Sequence, residues 1–270
     1  MFPARFGIVG DNCVDRFQPP VAQSLIGGNA INVAVQLALL GHDVSYFGAV
    51  GTDKDGARTR DLLRANGVRT DHLREVAGNT AFTNIDITAT GERIFAHEDF
   101  GVCKNYIPDA EDFQALLAMD HVHLGWIADD GLVRRRLAAA GCSLSQDVSV
   151  NNDSAHLGVA GLSVAFGSAG EDGDAADAMM AQFLADGARL AVVTRGARGS
   201  CATDGATRVE TGIAPVDVVD TTGAGDSFIA GFLHAMMDGR DLQDCLIAGR
   251  SRAAVTCTHV GGFPQDIQPL

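Results

Sequence analysis

The chain has 270 residues, 46% of them apolar, and a formal net charge of -14. That length allows one large α/β domain with an accessory piece or two small domains, the first being favoured, and no apolar run approaches the roughly 20 residues needed to span a bilayer. The acidic balance, with Lys54 and Lys104 as sparse lysines, opposes a nucleic-acid footprint, so neither a membrane nor a nucleic-acid partner is expected.

Residues 1–10 lack the basic and long apolar regions of a secretory signal. Cys13, Cys103, Cys142, Cys201, Cys245 and Cys257 form neither a Cys-x-x-Cys pair nor a compact disulfide framework. Reduced thiols in the cytoplasm are the simplest account.

In chain order, residues 5–9 read as a short strand, and Gly10-Asp11-Asn12-Cys13-Val14-Asp15 follows it. In an open α/β sheet, ligands gather beyond the carboxyl ends of strands. Asp15 is therefore a candidate acceptor for a sugar hydroxyl, with Asp11 and Asn12 beside it; a solvated Asx turn explains Asp11 equally well. Gly27-Gly28-Asn29-Ala30-Ile31-Asn32 then opens a helix over 30–40 that stops at Gly41. Paired glycines let backbone approach a polyhydroxylated ligand closely, and Asn32 supplies both a donor and an acceptor; a flexible turn with a helix cap is the competing reading.

Residues 44–50 form the next strand, 53–66 a helix ending before Gly67, and the Thr- and Ile-rich stretch 80–90 a β insertion. Helical segments at 110–118, 130–140 and 175–185 then separate strand candidates around Val122, Ser143, Val164 and Leu190. This alternation predicts a doubly wound, mainly parallel sheet. His121 and His123 lie in one of those strands without a ligand partner at metal spacing, so a structural role is expected. Thr194-Arg195-Gly196-Ala197-Arg198-Gly199 follows a buried strand; its glycines suit a nucleotide phosphate, contacted by Thr194 or Arg195, and equally an ordinary hairpin.

Asp220-Thr221-Thr222-Gly223-Ala224-Gly225-Asp226 carries the strongest chemistry. Residues 214–219 before it read as a strand despite Pro215, and Phe228, Ile229, Phe232, Leu233 and Met236 after it repeat at helical spacing. Gly223, Ala224 and Gly225 would thus present backbone N–H groups at a helix N-terminus, where an anion is held. Asp226 would be the base that receives a proton from a hydroxyl while those amides stabilise a transferring phosphate. An N-capping Asp is the bland reading. Helices over 224–237 and 242–258 complete the chain.

Three other motifs fail on context. Asp99-Phe100-Gly101 lacks the catalytic-loop and lysine motifs of protein kinases. Phe228 occupies the third small position of a dinucleotide fingerprint, and no Gly-Lys-Ser/Thr phosphate loop occurs.

Gly27 to Asn32, Gly48-Ala49-Val50-Gly51-Thr52-Asp53 and Asp220 to Asp226 together resemble the ribokinase, or PfkB, carbohydrate-kinase family over most of the chain. The resemblance implies a single ribokinase-like domain over 1–270, with a small β lid built from roughly 12–25 and 80–98, sugar beneath the lid and ATP near the later strands. It implies Asp226 as catalytic base, Gly223, Ala224 and Gly225 as anion hole, Asp15, Gly27, Gly28 and Asn32 on the sugar side, and Thr194, Gly196 and Gly199 on the nucleotide side. The Asn-x-x-Glu element of the family, which influences Mg²⁺ and phosphate placement, is replaced by Ser168-Ala169-Gly170-Glu171, leaving Glu171 to act through water. Asp220 and nearby carbonyls are a candidate site for K⁺, and the lid a candidate homodimer surface. Gly10 to Asp15 and Gly225 to Phe232 resemble the branch of the family acting on the 6-hydroxyl of fructoselysine. The expected activity is ATP-dependent phosphorylation of a sugar-like primary hydroxyl; the alternatives are another sugar or nucleoside kinase of this fold, or an inactive kinase-like binding protein.

Overall fold

The computed structural model describes residues 3–88, 93–150 and 156–270. In chain order the elements are β1 (Arg5–Val9), β2 (Cys13–Phe17), β3 (Gln23–Gly27), α1 (Asn29–Leu39), β4 (Asp43–Gly51), α2 (Lys54–Ala65), β5 (Val68–Val76), β6 (Phe82–Ile87), β7 (Arg93–Asp99), α3 (Ala110–Leu117) and β8 (His121–Leu124). There follow α4 (Leu132–Ala139), β9 (Leu144–Asp147), β10 (Val164–Ser168), α5 (Gly173–Ala185), β11 (Ala191–Thr194), β12 (Ser200–Thr203), β13 (Arg208–Thr211), α6 (Ala224–Met237), α7 (Leu242–Thr256) and β14 (Gln268–Pro269).

The main sheet has nine strands in the order β13-β12-β11-β10-β9-β8-β1-β4-β5. From β11 to β5 every pair is parallel, and β12 and β13 turn back antiparallel at one edge. Strand alternation explains how both faces are covered: Phe6 and Ile8 of β1 enter a core with α1, α6 and α7, while Val9 enters the opposite core with α3, α4 and α5. Each fully buried side chain of this size stabilises by roughly 1.5–3 kcal/mol. The chain lays down β1, β4 and β5 in one direction, then returns to place β8 on the other side of β1 and continues outward through β11. The strand order therefore reverses between β1 and β8, the place in open α/β sheets where ligands gather beyond the carboxyl ends.

A second sheet, ordered β14-β3-β2-β6-β7, grows from the segments that leave β1 and β5, with β14 from the end of the chain at one edge. Its small core is Phe17, Leu25 and Ile85, with Val21 and Ile87 packed against it. Asp53 fixes one of its connections: it caps α2 by accepting the Gly56 N–H at 2.8 Å and also accepts the Thr80 N–H at 2.8 Å and hydroxyl at 2.6 Å. Of the expected stretch 80–90, Ala89 and Thr90 lie outside the described residues, as do residues 91 and 92 of the longer 80–98 segment.

One expected strand is absent. Residues 214–219 pair with no sheet, and Val216, Val218 and Val219 are exposed. Pro215 lacks a donor, and the segment leaves the edge strand β13 without turning back to pair with it. The two histidines of β8 are buried and bonded to serines: His121 contacts the Ser143 and Ser145 hydroxyls, each at 2.8 Å, and His123 contacts Ser145 at 2.9 Å. Burial pushes both imidazoles down to about 3, so they remain neutral at neutral pH.

Candidate active site

The start of α1 is set by a close backbone crossing. Gly28 has φ 102°, and a Cβ there would lie 2.8 Å from Asn12 Cα and 2.9 Å from Cys13 N, so only glycine fits. With no side chain at that cap position, Asp11 replaces it from the end of β1: one oxygen accepts the Asn29 N–H at 3.1 Å and the other the Trp126 N–H at 3.2 Å. Asp11 thus joins the ends of β1 and β8 to the positive end of α1.

The start of α6 is equally constrained. Gly223 has φ 72°, and a Cβ there would lie 2.4 Å from Gly262 Cα. Among the described residues the Gly223 and Gly225 N–H groups meet no protein acceptor, and nothing lies within 4 Å of where a Gly225 side chain would begin. Ala224 departs from the expected anion hole, because its N–H donates to the Thr221 carbonyl at 3.2 Å and closes the turn.

Asp226, one residue beyond, is half-buried. The Asn29 side chain donates to one of its oxygens at 2.7 Å and the Asn32 side chain to the other at 2.6 Å. The Asn29 amide also donates to Asp147 at 2.8 Å. Asp147 ends β9 and is itself held by the Ser149 N–H at 2.9 Å and hydroxyl at 2.6 Å. Burial, with a contribution from the Asp147 charge, pushes the Asp226 carboxyl up to about 7, although the two amides pull it down. Burial also raises Asp11 and Asp147. A carboxyl titrating near neutral pH suits a general base.

The second sheet closes over this cluster. The Asp15 carboxyl lies beside Gly27, 3.4 Å from where a Cβ would be, with the Asn32 oxygen 3.9 Å from the same point. Asp15 stands opposite Thr83, and Thr83 opposite Glu98, so the three form one row on one face of the sheet. Burial and the Asp11 charge raise the Glu98 carboxyl.

Asn12 corrects an expectation. Its amide points into the fold, donating to the Ala49 carbonyl at 2.7 Å and the Tyr46 hydroxyl at 3.2 Å, because the Gly28 crossing covers its backbone. Asp11 likewise holds backbone, as described above. The structure brings Asp15, Gly27, Gly28, Asn32, Gly223, Gly225 and Asp226 together, and adds Asn29, Asp147 and Glu98, which sequence reasoning missed. Asp147 carries a faint signal as an acid closing a strand, Asn29 lies within the Gly27 to Asn32 motif without being singled out there, and Glu98 carries no signal without the pairing register.

The nucleotide-side candidates lie further along the same sheet edge. Thr194 ends β11 and stands level with Ser168 at the end of β10, two strand spacings, or about 10 Å, from β9. Gly196 and Gly199 bracket a short 3₁₀ turn. Glu171 packs against Gly196 and leaves its carboxylate exposed, while its carbonyl accepts from Arg198 at 2.9 Å. Arg195 turns away, pairing with Glu210 at 3.4 Å. Asp220 is buried and committed to three donors: the Thr222 N–H and hydroxyl and the Gly261 N–H, each at 2.9 Å. A separate cavity of about 320 Å³, lined by Ala49, Arg74, Val76, Asn79 and Lys104 among others, includes none of these residues; the convergence of acids and open amides, rather than concavity, marks the candidate site.

Comparison with known proteins agrees with this architecture. The family model described as pfkB family carbohydrate kinase matches residues 18–141 and 159–266. The chain is 36% identical to fructoselysine 6-kinase of Shigella flexneri over 259 residues, covering 94% of this chain and 98% of that one. It is 31% identical to a fructosamine kinase of Bacillus subtilis over 261 residues, covering 94% and 91%. Among solved structures, Arabidopsis thaliana ribokinase complexed with ribose and ATP superposes with a TM-score of 0.87 at 21% identity, covering 98% of this chain and 96% of that one.

Proposed function

The chain belongs to the pfkB family of carbohydrate kinases and is an ATP-dependent kinase of sugar-like substrates, and from that premise we propose that its acceptor is the 6-hydroxyl of fructoselysine. Similarity to fructoselysine 6-kinases over nearly the whole chain supports that acceptor. The observation that carries the mechanism is the Asp226 carboxyl, held by two amide donors beside open backbone N–H groups.

In this reading the sugar lies against Gly27, Gly28, Asn32 and Asp15, with its 6-hydroxyl directed at Asp226. Asp226 accepts the hydroxyl proton as the oxygen attacks the γ-phosphorus of ATP, and the Gly223 and Gly225 amides stabilise charge on the transferring group. ATP lies along Thr194, Gly196 and Gly199. Mg²⁺ would neutralise the phosphates there, and the exposed Glu171 carboxylate, acting through water beside Ser168, fits an ion bound mainly by phosphate oxygens. The second sheet acts as a lid that excludes water, its exposed edge strand β7 a surface for a second copy. A K⁺ ion at Asp220 would share a carboxylate that already accepts three hydrogen bonds; a kcat that depends on K⁺ over Na⁺ would support it. Use of ATP and six free cysteines fit a cytoplasmic enzyme.

Asp226→Asn is expected to lower kcat by at least about 100-fold while KM for the sugar changes little, measured by ADP release. A panel of fructoselysine, glucoselysine, fructose, ribose and nucleosides tests the acceptor. Faster turnover of a nucleoside would reassign the substrate, and no sugar-dependent ADP from any of them would favour a binding protein.

A further inference from the structure

Asp147 touches neither the open amides nor the sugar-side glycines, yet it is buried at the end of a central strand and shares one amide with Asp226. Both hydrogens of the Asn29 amide are thereby used, one on each carboxylate. An amide so forked cannot rotate without losing both bonds, which fixes the face of Asp226 left for an incoming hydroxyl. Asp147 is in turn clamped by Ser149 through two donors to its other oxygen. The chain of contacts runs Ser149 to Asp147 to Asn29 to Asp226, linking β9 to the starts of α1 and α6.

We propose that Asp147 is a positioning residue for phosphoryl transfer, holding Asn29 so that Asp226 faces the acceptor hydroxyl, and strengthening Asp226 as a base through its own negative charge. The inference rests on Asp226 being the base. Asp147 at the end of β9 and Asp11 beyond β1 raise the Asp226 carboxyl; Asp15 of β2 faces the same cluster beside Asn32, and α1 contributes the neutral Asn29 and Asn32. Asp147 is the nearer influence, because Asp11 is bound to backbone N–H groups and shares no donor with Asp226. The charge of Asp147 raises the proton affinity of Asp226, as a like charge must.

The test is the pH dependence of kcat/KM with fructoselysine and ATP for wild type, Asp147→Asn and Ser149→Ala, with thermal unfolding to verify folding. Wild type should lose activity as pH falls through about 7. Asp147→Asn should lower kcat and move that acidic limb down by about one unit, with KM for ATP and its Mg²⁺ dependence unchanged. Ser149→Ala loosens Asp147 without removing it and should move the limb the same way by less. An unmoved limb in a folded variant overturns the inference, as does a changed Mg²⁺ requirement, which would make Asp147 part of the metal environment. Absence of the limb from wild type would instead sink the base assignment itself, so the two failures are distinguishable.

Discussion

Asp226 illustrates a cost of function at the level of one side chain. Folding raises its carboxyl from 3.8 to about 7, so the folded state binds more protons than the unfolded state between those values. Stability from this group is therefore present at low pH and lost as pH rises through about 7. At 1.36 kcal/mol per unit the shift corresponds to about 4 kcal/mol as an upper bound. Asp226→Asn removes the charge but can turn its oxygen to only one of the two amide donors, leaving a net gain of about 1–2 kcal/mol after an unsatisfied donor is charged against it. The variant should unfold at a higher temperature than wild type at pH 8, with the difference growing from about pH 4 to about pH 7 and flat above. A variant no more stable than wild type at pH 8 would mean that this carboxylate is already well solvated.

At the scale of elements, α1 carries both amides that hold Asp226, so its placement sets the geometry of the site. Its two ends separate backbone strain from close approach. Gly28 at the start has φ 102° and would clash with Asn12 and Cys13 backbone if given a Cβ; Gly41 just beyond the end has φ 91° and open space. Gly41→Ala should cost only the left-handed backbone penalty, about 1 kcal/mol, and leave kcat unchanged. Gly28→Ala adds displacement of α1 to that penalty, and should cost about 2–3 kcal/mol with kcat at least about 10-fold lower. Urea unfolding and ADP release measure the two. The same contrast explains what was legible beforehand. Contiguous signals, such as Gly27 to Asn32 and Gly223 to Asp226, announce themselves because turn chemistry and helix periodicity are local. Asn29 and Asp147 act through a bond spanning 118 residues of sequence, and the 214–219 stretch looked like a strand because local pattern does not reveal whether a segment finds a partner strand.

Over the whole molecule, the net charge of -14 is not evenly idle. Asp11, Asp15, Glu98, Asp147 and Asp226 gather between the main sheet and the face of the second sheet. Such a field repels phosphorylated sugars and attracts a cation. Fructoselysine carries a secondary ammonium beside its sugar ring, at the end opposite the 6-hydroxyl. In the proposed placement, with that hydroxyl at Asp226 and the ring beneath Asp15, the ammonium is directed outward along the Asp15, Thr83, Glu98 row, whose ends lie two strand spacings, about 10 Å, apart. Glu98 is the outer acid of that row, on the edge strand. Glu98→Gln should therefore raise KM for fructoselysine about 3- to 10-fold, the effect of losing a partly exposed ion pair of about 1 kcal/mol, while KM for neutral fructose stays as it was. The difference should shrink in 0.5 M salt, because exposed charges are screened over a few ångströms there. Equal changes for the two sugars would place Glu98 in the structure of the second sheet rather than in recognition, and fructose 1-phosphate, whose 6-hydroxyl is free, accepted as readily as fructose would remove the electrostatic argument altogether.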